Sequence, residues 1–218
     1  DTVDEHRRHK DVYEHTLTVL QQAMDLETGP DGAVPGPDLR LRLAALMHDI
    51  GKPATRRFMP DGTVTFHAHD YVGARMTAKR MRALHFDKQT IKDVSRLVEL
   101  HLRFHGYADS PWSDSAVRRY VTDAGPLLAR LGCLTRADVT TGNRRKAAML
   151  SHAYDDLERR IEALRQQEEL AAIRPELDGQ EIMAELGIKP GPEVGKAYKF
   201  LLDLRMERGP IGKELARE

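Results

Sequence analysis

The residues of this chain with chemical potential are mostly histidine and aspartate. His48 and Asp49 stand side by side within LRLAALMHDIGK, Leu41 to Lys52, where an apolar run carrying Leu43, Ala44, Leu46 and Met47 meets them and stops at Gly51. Burying a polar group without a partner costs about 2–7 kcal/mol, and an unpaired charge costs more. A divalent metal would satisfy both, since imidazole nitrogen and carboxylate oxygen are ordinary ligands for Zn, Mn, Fe, Ni or Mg. An isolated His-Asp pair is equally explained by hydrogen bonds to each other or to nearby backbone. Four further residues weigh against isolation. His15, His69, His101 and Asp138 each fall on or near the apolar side of a different expected helix. A set of this kind suits hydrolysis of a phosphoester, because a bound divalent ion makes hydroxide available near neutral pH. Lys52, Arg56 and Arg57 lie just beyond the pair and could neutralise charge developing on phosphate, the alternative being a solvated basic turn. His67 and His105 are rival ligands or substrate contacts. His6, His9, His85 and His152 read as surface or capping residues.

These side chains need helices to position them. Helical spacing over residues 9–27 places Val12, Thr16, Val19, Leu20, Ala23 and Met24 on one stripe, with His15 one turn before Val19. Residues 29–37, GPDGAVPGP, are a run of breakers that argues against order. A second helix, 38–50, delivers the pair. RRFMPDGTVTFH reads as a short hairpin turning at Pro60-Asp61-Gly62. A helix over 69–85 opens with His69, and its Gly73, Ala74 and Ala78 let a neighbour approach. In a helix over 88–103, Ile91, Val94 and Val98 form a stripe that His101 continues. Helices follow near 113–122 and 126–140, the latter with Leu127, Leu131, Leu134 and then Asp138 in register. A long amphipathic helix spans 143–170. Asp178 with Glu181 signals the start of a short helix, and Pro192 the first turn of a last one. The architecture is all-α: a helical bundle with one short β-hairpin over 1–170, and a small C-terminal helical appendage over 171–218.

Composition narrows the classes. The 218 residues hold 34 Lys plus Arg against 34 Asp plus Glu, so bulk attraction to nucleic acid is not expected and contact must come from local patches. Arg118, Arg119, Arg144, Arg145 and Lys146 are such patches. A single cysteine, Cys133, forbids an intrachain disulfide and suits a reducing cytoplasm. No apolar run approaches a membrane span, and DTVDEHRRHK is too charged for a signal peptide. Nothing in the composition speaks to oligomeric state.

The order His15, His48-Asp49, His69, His101, Asp138, with Gly51-Lys52 after the pair and Gly73 four residues after His69, resembles the HD superfamily of metal-dependent phosphohydrolases. The resemblance implies that His15, His48, Asp49 and Asp138 hold one metal, that His69 and His101 serve a second ion or the substrate, and that Asp49 bridges; Asp49, with Lys52 beside it, is the catalytic candidate. A closer resemblance spans nearly the whole chain. RLAALMHDIGKPATRR, FHAHDYVGARM, LVELHLRFHGY, SAVRRYVTDAG, RADVTTGN and DGQEIMAELGIKPGPEVGKAYKFLLDLRMERG look, in order, like the C-terminal half of bacterial CCA tRNA nucleotidyltransferases, nearest the actinobacterial form. It implies tRNA as a partner held by the C-terminal helices, and phosphodiesterase activity toward 2′,3′-cyclic nucleotides in the HD region. The Gly-Gly loop and Asp-x-Asp pair of that family's nucleotidyl-transfer site are not found here. The expectation is therefore the HD and tRNA-holding portion of a longer enzyme, favoured by an opening without Met. The competing expectations are a stand-alone HD phosphohydrolase acting on small nucleotides, and a non-catalytic tRNA-binding module. GPEVGK offers free amides at a helix start as a phosphate contact, or simply a well-capped helix.

Overall fold

A computed structural model describes residues 12–110, 112–168 and 173–217. In chain order the elements are α1 (Val12–Asp25), α2 (Leu39–Met47), α3 (Lys52–Thr55), β1 (Arg57–Phe58), β2 (Val64–Thr65), α4 (His69–Ala83), α5 (Lys88–Leu100) and α6 (His105–Asp109). Then come α7 (Asp114–Ala124), α8 (Leu128–Ala137), α9 (Arg144–Glu168), α10 (Gly179–Leu186), α11 (Pro192–Arg208) and α12 (Gly212–Leu215). The fold is all-α, with one antiparallel hairpin that pairs Arg57 with Thr65 and Phe58 with Val64. Among the described residues no helix is long and apolar enough to cross a membrane.

Two compact units divide the chain. The first comprises residues 1–109 and 126–154, the second 110–125 and 155–218. The division differs from a cut after residue 170: it falls inside α9, and α7 joins the C-terminal helices because it packs on α11.

In the first unit α1, α2, α5 and α8 pack together, and α4 lies along α5. Asp38 caps α2, its side chain accepting from the Leu41 amide at 2.8 Å, and Asp87 caps α5 through the Thr90 amide at 2.9 Å. On α5, Ile91, Val94, Leu97 and Val98 are buried. Each buried aliphatic contributes roughly 1.5–3 kcal/mol, enough together to carry the buried polar His101 that follows. The breaker-rich loop is ordered, contrary to expectation. Val34 in its middle is buried, its carbonyl accepts from the Thr28 amide at 2.8 Å, and its amide donates to Thr28 Oγ1 at 3.0 Å. One apolar anchor outweighs the flanking glycines and prolines. Two stripe residues face solvent: Val12 on α1 and Leu46 on α2.

The second unit has its own small core, Leu177, Ile182 and Leu201 with Val194, Ala197 and Ala216 around it. Asp178 and Glu181 form the expected reciprocal cap of α10, and Pro192 opens α11.

Candidate metal centre

Five elements deliver six side chains to one place in the first unit. His15 comes from α1, His48 and Asp49 from the end of α2, His69 from the start of α4, His101 from the end of α5, and Asp138 from the end of α8. All are buried except His15 and Asp138, whose side chains keep 10% and 15% exposure.

Three of the histidines are held by one construction. Nδ1 of His48, His69 and His101 donates to the carbonyl three residues upstream: Ala45 at 2.8 Å, Phe66 at 2.8 Å and Val98 at 2.6 Å. His15 Nδ1 lies 3.1 Å from Thr140 Oγ1. With Nδ1 occupied, each ring presents Nε2 inward. An outer hydrogen bond of this kind orients metal-binding imidazoles.

The inward atoms form a tight polyhedron. His15 Nε2 lies 3.2 Å from His48 Nε2, 3.1 Å from Asp138 Oδ1 and 3.4 Å from Asp49 Oδ2. His48 Nε2 lies 3.2 Å from Asp49 Oδ2 and 3.5 Å from Asp138 Oδ1. Ligands held about 2.0–2.2 Å from one ion sit about 3.0–3.6 Å apart at adjacent positions, so these separations fit a shared cation. Asp49 turns its other oxygen, Oδ1, to His69 Nε2 at 3.3 Å. His15, His48 and Asp49 thus make one group able to hold a metal, and Asp49, His69 and His101 another. The Nε2 atom of His101 is buried without a hydrogen-bond partner among the described residues, and that of His69 has only its 3.3 Å approach to Asp49 Oδ1, a costly arrangement unless something accepts from or binds them.

Charge supports the fit. Burial by itself would raise the Asp49 and Asp138 carboxyls. Hydrogen bonds from His15 and His48, joined at Asp49 by His69, outweigh it and hold both well below the usual carboxylate range. The same contacts raise His15, chiefly through Asp138, and carry His48 to about 10 against the lowering effect of its burial. Without metal, the imidazolium proton of His48 thus sits where a dication would bind, and such binding releases protons. The donor set is nitrogen and oxygen without thiolate, which does not discriminate among the borderline and hard divalent ions.

Lys52 Nζ reaches Asp49 Oδ2 at 2.6 Å and lies over the Phe66 ring. Local backbone makes these placements possible. A Cβ on Gly51 would lie 2.2 Å from the His69 carbonyl and 2.8 Å from the Gly73 amide, so glycine there lets α3 meet the start of α4. Ala68 adopts φ 59°, the left-handed region, immediately before His69. Strain of this kind collects at functional sites.

Other expected residues lie elsewhere. Arg56, Arg57, His67 and His105 are exposed, and the Arg56 guanidinium stacks over Phe58. His85 and His152 are exposed; His6 and His9 lie outside the described residues. Arg144, Arg145 and Lys146 are exposed in the first turn of α9. Arg118 requires correction as a nucleic-acid contact. It is 5% exposed and donates Nη1 to the Met206 carbonyl at 2.9 Å, because its place on α7 faces α11. Arg119 is partly exposed and paired with Glu207 at 2.9 Å. Missed from sequence were Thr140, Ala68 and the close approach at Gly51. Backbone carbonyl partners leave no sequence signal, and Thr140 is marked only by lying two residues after Asp138.

A family model described as "HD domain" matches residues 12–143. The chain is 36% identical over 200 residues to the A-adding tRNA nucleotidyltransferase of Deinococcus radiodurans, an alignment covering 90% of this chain and 43% of that protein. It is 37% identical over 213 residues to the CC-adding tRNA nucleotidyltransferase of Thermus thermophilus, covering 96% of this chain and 44% of the relative. The chain therefore spans less than half the length of these curated relatives. With the family model matched across the bundle that carries all six side chains, the chain belongs to the HD-domain family.

Proposed function

We propose that this chain is the HD and tRNA-holding portion of a bacterial tRNA nucleotidyltransferase, acting in the cytoplasm, and that its bundle is a metal-dependent phosphohydrolase toward 2′,3′-cyclic nucleotide-type phosphoesters. The observation that carries the hydrolytic part is the convergence of Nε2 of His15 and His48 with Asp49 Oδ2 and Asp138 Oδ1 at 3.1–3.5 Å. His15, His48, Asp49 and Asp138 would hold one ion. Asp49 Oδ1, His69 and His101 would hold a second ion or face the substrate. A divalent ion there supplies Lewis-acid activation of water and neutralisation of phosphoryl charge. The side chains do the rest. Asp49 bridges the two groups, Lys52 keeps a positive charge beside it, and Arg56, Arg57 and His105 are the outer candidates for phosphate contact. The tRNA part is supported by the likeness to the two nucleotidyltransferases, with Arg144, Arg145 and Lys146 as exposed cations and Arg119 as a partly exposed one paired with Glu207.

The test is elemental analysis of the purified chain, with 2′,3′-cyclic AMP hydrolysis assayed after adding Ni, Mn or Mg to wild type and Asp49→Asn. Metal in the wild type, and turnover that the variant loses, are expected. No metal and no turnover with any ion would remove the phosphohydrolase and leave a tRNA-binding module.

A further inference from the structure

The basic residues of the second unit are largely neutralised. Arg119 pairs with Glu207, Arg160 with Asp114, Arg159 with Asp156 and Arg205 with Glu176. Helix α4 in the first unit differs. Arg75, Lys79 and Arg82 are exposed, and none forms an ion pair among the described residues. At 100° per residue they share one face with Tyr71, within about 80° of arc, and rise about 16 Å along the axis from Tyr71 to Arg82. The one acidic residue of α4, Asp70, lies in its first turn, away from this stripe. Val72, Arg75, Met76, Ala78, Lys79 and Arg82 line a groove of about 500 Å³ along the helix. Tyr71 is 56% exposed at the N-terminal end of the stripe.

On a chain with zero net charge, three uncompensated cations in register are a local departure that favours a polyanion. We propose that this face of α4 binds the phosphate backbone of RNA, with Tyr71 stacking on an exposed base. A regular row of cations suits a regular row of phosphates, and a tyrosine ring offers stacking without sequence choice. A membrane surface fits less well. The apolar side of α4, Gly73, Ala74, Thr77 and Met81, is buried within the bundle, leaving no bulky apolar face to enter a bilayer. With tRNA as the RNA, the inference rests on the tRNA reading above. As a backbone contact it stands without that reading.

The experiment measures binding of the 218-residue chain to three fluorescent probes across a salt series: bulk tRNA, an arbitrary-sequence RNA duplex, and vesicles containing anionic phospholipid. The R75A/K79A/R82A variant is compared with wild type and with the charge-conserving R75K/R82K variant, thermal melting confirming that each is folded. The triple variant should bind tRNA at least about tenfold more weakly, with a salt slope reduced by about 2 to 3, while R75K/R82K keeps most of the affinity. Wild type that binds only the arbitrary duplex, with the same loss in the triple variant, supports the α4 surface and removes tRNA as its specific partner. Unchanged affinity and slope in the triple variant would overturn the proposal and leave tRNA binding to the start of α9. Binding by wild type to vesicles but to no RNA would also overturn it.

Discussion

His48 and His101 are built alike and end with opposite proton affinities. Each is the C-terminal cap of its helix, each is almost wholly buried, and each donates Nδ1 to the carbonyl three residues upstream. Yet His48 is raised to about 10, and His101 is lowered to about 4. Burial depresses both. At His48 the hydrogen bonds it donates to Asp138 and Asp49 overcome it, whereas at His101 the positive charge of His48 adds to it. The identical scaffold sets only where Nε2 points. What faces Nε2 sets its charge, so one group is poised to exchange protons for a cation and the other presents a neutral lone pair.

Metal stoichiometry tests that difference most severely. Asp49→Asn removes the carboxylate shared by both groups and should weaken binding at both by more than the roughly 10–100-fold typical of supporting residues. Asp138→Asn should weaken only the group of His15 and His48, and His101→Gln only the other, read by calorimetric titration with Mn or Ni. Equal losses in the last two variants would mean that the groups are not separable.

The pH dependence of stability in the metal-free chain is the next largest effect. His48 is raised above its unfolded value of about 6.5, so its contribution is complete below that pH and is lost as pH rises through about 10. His101 is depressed, so stability falls as pH drops from about 6.5 toward 4. The lowered Asp49 and Asp138 keep their contribution above about 3.8 and lose it on further acidification. Denaturant melts should therefore show Asp138→Asn flattening the alkaline limb and His101→Gln the limb between pH 6.5 and 4. Unchanged limbs in both variants would contradict the assignment of the two histidines.

Gly51→Ala should act more mildly and on one side. Its Cβ would meet the His69 carbonyl, costing about 1–3 kcal/mol of overpacking. Thermal melting should show the loss, and metal binding should weaken more at His69 and His101 than at His15 and His48.

Much of this centre was legible from residue type and spacing. Helical periodicity put Val98 and His101 on one face of α5, and Leu131, Leu134 and Asp138 on one face of α8, and all of these are buried except Asp138, which keeps 15% exposure. The same logic failed at Arg118. Its neighbour Arg119 reads identically by type, but one faces α11 and the other partly faces solvent, and no local rule separates adjacent cations. It failed again at residues 29–37, where composition forecast a loose loop and Val34 anchors an ordered one.

By itself the sequence determined which side chains end on the apolar sides of their helices, because burial follows a periodicity set by backbone geometry. It also determined the likeness of the whole ordered set to the HD family. Tertiary structure alone decided that residues up to 125 positions apart in the chain meet within 3.5 Å. It also decided that each imidazole turns Nε2 rather than Nδ1 inward, and that two like-built histidines differ in charge. Those outcomes depend on backbone carbonyls and on carboxylates from other helices, which a linear pattern does not bring together.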